Sequence, residues 1–314
     1  MMNGLVIKST GSWYTVQPDG ENSTVNCKIK GNFRIKGIRT TNPVAVGDRV
    51  TVVPNESGTA YITAISPRKN YIIRRSSNLS KESQIIAANI DAVALIATLS
   101  HPTTSTTFID RFLVTAEAYS VPAILVLNKV DLMDSEDDKE YLDAVSSLYS
   151  GIGYEVLKVS AKTGFGIDRL KEAIRGKITL FSGNSGVGKS TLINDIIPGI
   201  EQRTAEISSI HDTGMHTTTF SEMFPLPSGS GYIIDTPGVK GFGTVDMEPE
   251  EVAHYFPEIF RTSHNCRYNN CTHTHEPGCA VLDALEHHYI AQSRYNSYLS
   301  ILEDCKPDKY RKPF

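Results

Sequence analysis

Two hydrophobic periods divide the chain. Over residues 1–72 short runs rich in Val, Ile, Thr and Tyr alternate with polar positions: Gly4–Lys8, Trp13–Gln17, Thr24–Ile29, Arg49–Val53 and Tyr61–Ile65. Turn formers separate them, at Pro18-Asp19-Gly20, Gly31-Asn32, Gly47-Asp48 and Pro54-Asn55. Five short strands in so compact a stretch predict a small closed barrel, because closure removes exposed sheet edges. The pattern suits an OB-type barrel best, although an SH3-like barrel reads much the same. Pro67–Asn78, which carries Arg68, Lys69, Arg74 and Arg75, reads as a basic connection to the next domain.

Residues 73–245 change period. Apolar runs of buried-strand length (Ala92–Thr98, Ala123–Leu127, Glu155–Val159, Lys177–Phe181, Tyr232–Ile234) alternate with helical stretches at Phe108–Tyr119, Lys139–Tyr149, Ile167–Arg175 and Lys189–Ile196. Strand-helix alternation predicts a mainly parallel sheet with helices on both faces. Thr218–Phe224 reads as an edge strand. Residues 246–314 are mostly helical, with one or two helices over Ala280–Leu302 and a tail from Asp304. The expected architecture is therefore multidomain α/β: a barrel, a mainly parallel α/β domain and a helical C-terminal domain.

Composition adds bounds. With 40% apolar and 21% charged residues, 314 residues can bury cores of ordinary size. No apolar run approaches the roughly 20 residues that cross a bilayer. Met1-Met2-Asn3-Gly4 lacks the layout of a signal peptide, so the expected location is cytoplasmic. There, five cysteines suggest metal or free thiols before disulfides. The net charge of −4 hides an asymmetry: residues 1–75 hold eleven Lys/Arg against four Asp/Glu. A surplus of +7 on this N-terminal segment is the footprint of a surface that docks on phosphate backbones, or else a solvated basic face with no partner.

The chemistry lies in the loops after the predicted strands. Gly183-Asn184-Ser185-Gly186-Val187-Gly188-Lys189-Ser190, followed by Thr191, matches G-x-x-x-x-G-K-[ST] between a strand and a helix. Such glycines let backbone N–H groups converge on phosphate oxygens at a helix N-terminus; Lys189 would reach the β- and γ-phosphates and Ser190 would ligate Mg²⁺. Asn128-Lys129-Val130-Asp131 ends the strand Ala123–Leu127. The Asp131 carboxylate can accept from guanine N1–H and its exocyclic amine, a pair that adenine lacks, so the site should reject ATP. Ser160-Ala161-Lys162 would bring backbone N–H groups near guanine O6. Asp235-Thr236-Pro237-Gly238 would contact Mg²⁺ through its water (Asp235) and sense the γ-phosphate (Gly238). These are the parts of a GTPase, but the base reader precedes the phosphate loop. That order is a circular permutation.

Val239 stands where many GTPases carry a water-orienting Gln. His216 is the candidate substitute, since an imidazole can orient water or relay its proton. It precedes Thr217-Thr218-Thr219, one of which should ligate Mg²⁺. Downstream, Cys266-x4-Cys271-x-His273-x5-Cys279 offers three thiols and an imidazole suited to tetrahedral Zn²⁺, with His275 as a competing fourth ligand. Four protein ligands leave no open position, so the metal should be structural. Cys27 and Cys305 read as bystanders.

Together, the permuted order, the phosphate loop, His216-Thr217-Thr218, Asp235–Gly238 and the Cys/His cluster resemble the ribosome small-subunit-dependent GTPase A family over essentially the whole chain. The resemblance implies an OB barrel, a permuted GTPase and a zinc domain in that order. It implies a bacterial late-stage assembly factor for the small ribosomal subunit, with weak GTPase activity stimulated by that subunit. It also implies ribosomal RNA contacts through the barrel and the zinc domain. The family's zinc ligands map to Cys266, Cys271, His273 and Cys279, against His275, and its proposed catalytic histidine maps to His216. Met215 departs from the Arg that commonly precedes that histidine. GTP and GDP, the subunit and its RNA are the expected partners. No membrane, DNA or second copy is called for. Because Asp235–Gly238 leads into the zinc domain, GTP bound there is expected to fix that domain's pose.

Overall fold

The computed structural model describes residues 1–29, 43–55, 59–75, 83–200, 222–227, 229, 231–235 and 247–305. Five strands open the chain: β1 (Met2–Ser9), β2 (Tyr14–Pro18), β3 (Val25–Ile29), β4 (Arg49–Pro54) and β5 (Ala60–Ile65). They pair in the order β1-β2-β3-β5-β4, and β4 returns to β1 with Met2 opposite Val52 and Leu5 opposite Arg49. The β3–β5 pair is parallel and the others are antiparallel. That closure is the Greek-key path of an OB-type barrel, and it decides against the SH3-like alternative. Alternation does the folding: Tyr14, Val16, Val50, Val52 and Ile62 point into the barrel core while their neighbours face outward.

Among its described residues the basic connection contains a strand. Tyr71–Arg75 forms β6, paired antiparallel with β7 (Ser83–Ala88). Just before it, Arg68 buries most of its side chain and grips Asp48 through Nε and Nη2, each contact 2.6 Å, while a further bond of 2.7 Å goes to Pro43 O. A bidentate pair of this kind is among the stronger polar links, and it staples the barrel to the segment that leaves it. Lys8 pairs with Glu222, Arg49 with Asp19 and Lys69 with Asp91. Four of the basic residues read as a phosphate-docking surplus are thus engaged within the protein.

The second sheet contains β8 (Ala92–Ala97), β9 (Ala123–Leu127), β10 (Glu155–Lys158), β11 (Ile178–Ser182), β12 (Glu222–Pro225) and β13 (Tyr232–Asp235), in the order β10-β9-β8-β11-β13-β12. All pairs are parallel except β12–β13. The predicted edge strand is therefore present from Glu222; residues 218–221 lie outside the described residues. Lys8 of β1 pairs in register with Glu222, which joins the barrel to this sheet. Every residue of β8 is buried because both faces are covered. Val93, Leu95 and Ala97 face the side of α1 (Thr106–Ala118) and α2 (Glu136–Ile152). Ala92, Ala94 and Ile96 face α3 (Ile167–Ile174) and α4 (Lys189–Ile196). The helices begin where the sequence supplies caps: Ser105 accepts from Phe108 N at 3.2 Å, and Ser135 with Asp138 forms a capping box.

The C-terminal part holds a 3-10 segment (Pro249–Tyr255), α5 (Pro257–Ser263), α6 (Ala280–Glu286) and α7 (Gln292–Asp304). The predicted helical stretch is two helices, parted where His288 takes a left-handed φ of 60°. They enclose a core of their own, to which α1 contributes Val114. Among the described residues no helix is long and apolar enough to cross a membrane.

Candidate nucleotide site and metal cluster

Because β8–β11 and β13 run parallel, their carboxyl ends share one edge, and the motif loops gather there. The phosphate loop leaves β11 and enters α4. Gly188 caps that helix with φ +91°, and a Cβ there would lie 2.4 Å from Asn128 Nδ2; at Gly183 (φ +148°) one would lie 2.2 Å from Ile96 O. Neither position accommodates a side chain, so the loop's backbone is packed directly onto β8 and the base-reading loop. Lys189 donates to Gly183 O (2.7 Å) and Asn184 O (2.8 Å). Burial lowers its pKa, and the Asp235 carboxylate opposes that shift. Asp235, opposite Phe181 at the end of β13, is thus close enough to be felt by the lysine.

Asn128 is buried and ties three loops together. Its Nδ2 donates to Val187 O (2.8 Å) and its Oδ1 accepts from Ala161 N (3.2 Å). Ser160, fully buried, donates to Asp131 Oδ1 (2.6 Å) and accepts from Thr163 N (3.2 Å), so the hydroxyl orients the carboxylate. Lys129 holds φ +62° and donates to His101 O at 2.6 Å. A non-glycine residue keeps such a φ only when its surroundings hold it there. The structure therefore brings together Asn128, Lys129, Asp131, Ser160, Ala161, the phosphate loop and Asp235; Lys162 is exposed beside them, and Thr191 is exposed in the first turn of α4. His216, Thr217, Thr218 and Gly238 lie outside the described residues.

The ligand atoms of Cys266, Cys271, His273 and Cys279 lie within 4.8 Å of one another. His273 Nδ1 is 3.6 Å from Cys266 Sγ and 3.5 Å from Cys279 Sγ, and those two sulfurs are 3.9 Å apart. Tetrahedral zinc, with bonds of about 2.3 Å to S and about 2.0 Å to N, gives edges of about 3.8 and about 3.5 Å. Burial, then the neighbouring thiols, pushes Cys271 up to about 12; burial also raises Cys279, against hydrogen bonds from Leu282 N and the Cys271 thiol, and lowers His273. An imidazole and three thiols converging at these distances are a donor set matched to a divalent metal. His275 instead is exposed and contacts Thr274 Oγ1. The ligand loop is braced from α7, where Tyr295 and Tyr298 donate to His273 O and Thr272 O, both at 2.7 Å.

Residues 65–245 match the RsgA GTPase family model and residues 3–62 match that of the RsgA N-terminal domain. A Bacteroides fragilis protein named small ribosomal subunit biogenesis GTPase RsgA is 64% identical over 313 residues, covering 100% of both chains. The chain belongs to the RsgA GTPase family. A Porphyromonas gingivalis relative of the same name is 57% identical over 318 residues, again covering 100% of both chains. Among solved structures, YjeQ from Thermotoga maritima superposes with a TM-score of 0.79 at 36% identity, covering 99% of both chains. YloQ, described as a circularly permuted GTPase, gives 0.76 at 30%, covering 99% of this chain and 97% of its own. The permutation read from motif order is thus also the arrangement of a structural relative.

Two features of this RsgA-family site are not written in its motifs. The base-reading motif names Asn128 as a nucleotide-site residue, but not the bonds that make it the knot between loops. The loop Thr98–Thr104 carries no motif, although it backs the phosphate loop through Pro102 and receives Lys129. The one sequence signal is Gly188, whose lack of a side chain leaves room for Asn128.

Proposed function

We propose that the protein is a GTPase acting in late assembly of the small (30S) ribosomal subunit, which hydrolyses GTP to GDP and phosphate and is stimulated by that subunit. The observation that carries this reading is the convergence of Asp131, Asn128 and the phosphate loop at one sheet edge in a chain 64% identical, end to end, to a small ribosomal subunit biogenesis GTPase.

Asp131 would pair with guanine N1–H and the 2-amine, and Ser160 holds its carboxylate ready; the Ala161 and Lys162 N–H groups would face O6. The backbone from Asn184 to Thr191, at the positive end of α4, would take the phosphates. Lys189 would exchange its two carbonyl partners for phosphate oxygens, gaining charge pairing that its burial makes stronger. Ser190, Asp235 and one of Thr217, Thr218 and Thr219 would hold Mg²⁺, which when bound neutralises charge between the β- and γ-phosphates. His216 would orient the water that attacks the γ-phosphorus as the bond to the β-phosphate oxygen breaks, and Gly238 would sense that phosphate. Cys266, Cys271, His273 and Cys279 would hold one structural Zn²⁺. The barrel (1–72) and the zinc domain (246–314), flanking the GTPase domain (73–245), would present the RNA-facing surfaces. We place the protein in the cytoplasm as a monomer.

The test is His216→Ala. Loss of subunit-stimulated turnover by about 10²-fold or more, with GTP affinity retained, supports a hydrolase using this imidazole. Unchanged turnover removes His216 from the mechanism. A wild type that binds GTP but does not turn it over with subunits present would instead be a GTP-gated RNA-binding protein, the reading favoured by Val239.

A further inference from the structure

One fully buried charge takes no part in this chemistry. Arg294 of α7 has no exposed surface. Its Nε donates to Glu258 Oε1 (2.7 Å) and its Nη1 to Asp110 Oδ1 (2.8 Å); Glu258 lies on α5, and Asp110 lies on α1, which packs on the GTPase sheet. Both oxygens of Asp110 are engaged: Tyr149 of α2 donates to Oδ1 (2.7 Å) and Ser297 of α7 to Oδ2 (2.6 Å). The guanidinium also stacks on Phe256, 4.6 Å from its ring centre. Burial alone would lower the Arg294 pKa, but Glu258 and Asp110 outweigh it and hold the charge.

A cluster this complete, closing across two cores, fixes one pose of α7 against α1, because any shift strands a buried charge. The other end of α1 meets the nucleotide loops. Asp110 lies five residues, about 7.5 Å, from the cap Ser105. Thr104 N donates to Thr98 O (2.7 Å), Thr104 Oγ1 accepts from Thr98 N (3.2 Å), and Thr98 Oγ1 donates to Pro102 O. From that tight loop His101 O holds Lys129, and the Pro102 ring lies 3.6 Å from where a Gly186 Cβ would stand.

We propose that Arg294 is a positioning residue for the nucleotide site: it registers the pose of the zinc-domain helices and, through Asp110 and α1, sets the Thr98–Thr104 loop that supports Lys129 and the phosphate loop. The inference rests on the guanine-nucleotide reading of the site. It gives the C-terminal domain a route to the nucleotide that is separate from residues 236–246. By linkage, nucleotide must then tighten the seam by the same factor with which the seam tightens nucleotide.

The experiment measures GDP and GTP affinity in the full zinc-loaded chain for Arg294→Lys and Tyr149→Phe, with Arg111→Ala as control. Arg111 spans the same seam but at the surface, bonded to Ser300 and Asp304. Melting temperature and zinc content are read alongside. We expect both cluster variants to bind GDP roughly three- to tenfold more weakly with zinc retained, and Arg111→Ala to bind like wild type. GDP should also slow hydrogen exchange at α7 in the wild type and less so in Tyr149→Phe. Should Arg294→Lys fail to fold, Tyr149→Phe, which removes a single hydroxyl, decides alone. Affinity within about twofold of wild type in the folded variants, with only the melting temperature lowered, would make the cluster a structural weld and overturn the proposal. A wild type that binds GTP and ATP alike sinks the parent reading and this one together.

Discussion

The nucleotide site and the Cys/His cluster are both built for a ligand, in opposite ways. At the sheet edge the binding groups are mostly backbone, and the side chains are occupied within the protein: Lys189 on the Gly183 and Asn184 carbonyls, Asp131 on Ser160. Each such bond can be exchanged for one to a ligand at little net cost, which suits a partner that comes and goes. In the C-terminal domain four side-chain donors converge within 4.8 Å, and the strongest partner they can take is a cation among them. That suits a metal bound for the life of the fold. The difference separates a site that must reset from one that must hold.

Removing a metal ligand should have the largest effect. Cys279→Ser is expected to release zinc and unfold the C-terminal core, because in small zinc domains binding free energy of about 10–16 kcal/mol is folding free energy. Metal analysis and calorimetry would show it, with nucleotide binding weakened no more than loss of the Arg294 cluster entails. Acid should act in the same direction: Cys271, up to about 12 without metal, must lose a proton to bind, so zinc affinity falls as pH falls. Retention of a folded domain after zinc removal would erase the contrast.

Next is Lys189→Ala. It deletes the only side-chain cation of the phosphate loop and should weaken GTP binding by about 3 kcal/mol, on the order of 100-fold, in a titration with labelled nucleotide. Asp131→Asn should cost somewhat less, about 2 kcal/mol for GTP, while improving binding of a triphosphate whose base carries an oxo group in place of the 2-amine. Equal losses for both bases would mean that Asp131 does not read that edge. In Gly188→Ala, a Cβ 2.4 Å from Asn128 Nδ2 at φ +91° should cost about 1–3 kcal/mol in stability, read by denaturant unfolding, and loosen the base loop with it. The smallest effect belongs to Tyr149→Phe, about 1 kcal/mol in denaturant unfolding.

A physical line divides what the sequence discloses from what it hides. Apolar runs such as Ala123–Leu127 and alternating ones such as Tyr14–Pro18 announce strands, because a strand's burial is written in its own residues. Loop motifs are legible for the same reason: the phosphate loop needs its glycines close together in sequence. The β6–β7 hairpin is hard to see because Arg68, Lys69, Arg74 and Arg75 make the apolar Tyr71–Ile73 read as part of a basic stretch. Arg68 reads as surface charge until its partner Asp48, twenty residues away, stands beside it. The Arg294 cluster is out of reach altogether. Asp110 and Arg294 stand 184 residues apart, each in an ordinary amphipathic helix, and only the packing of two cores makes their charges meet. Long-range polar pairing leaves no periodic trace.

The proposed activity makes the guanine-reading edge a hydrolase answering to the small ribosomal subunit. Its most direct test is GTP turnover by the purified protein, with and without small subunits, against ATP as the control nucleotide. Turnover should be slow alone, strongly stimulated by the subunit, and absent with ATP. Tight GTP binding with flat, negligible turnover in the presence of subunits would contradict it.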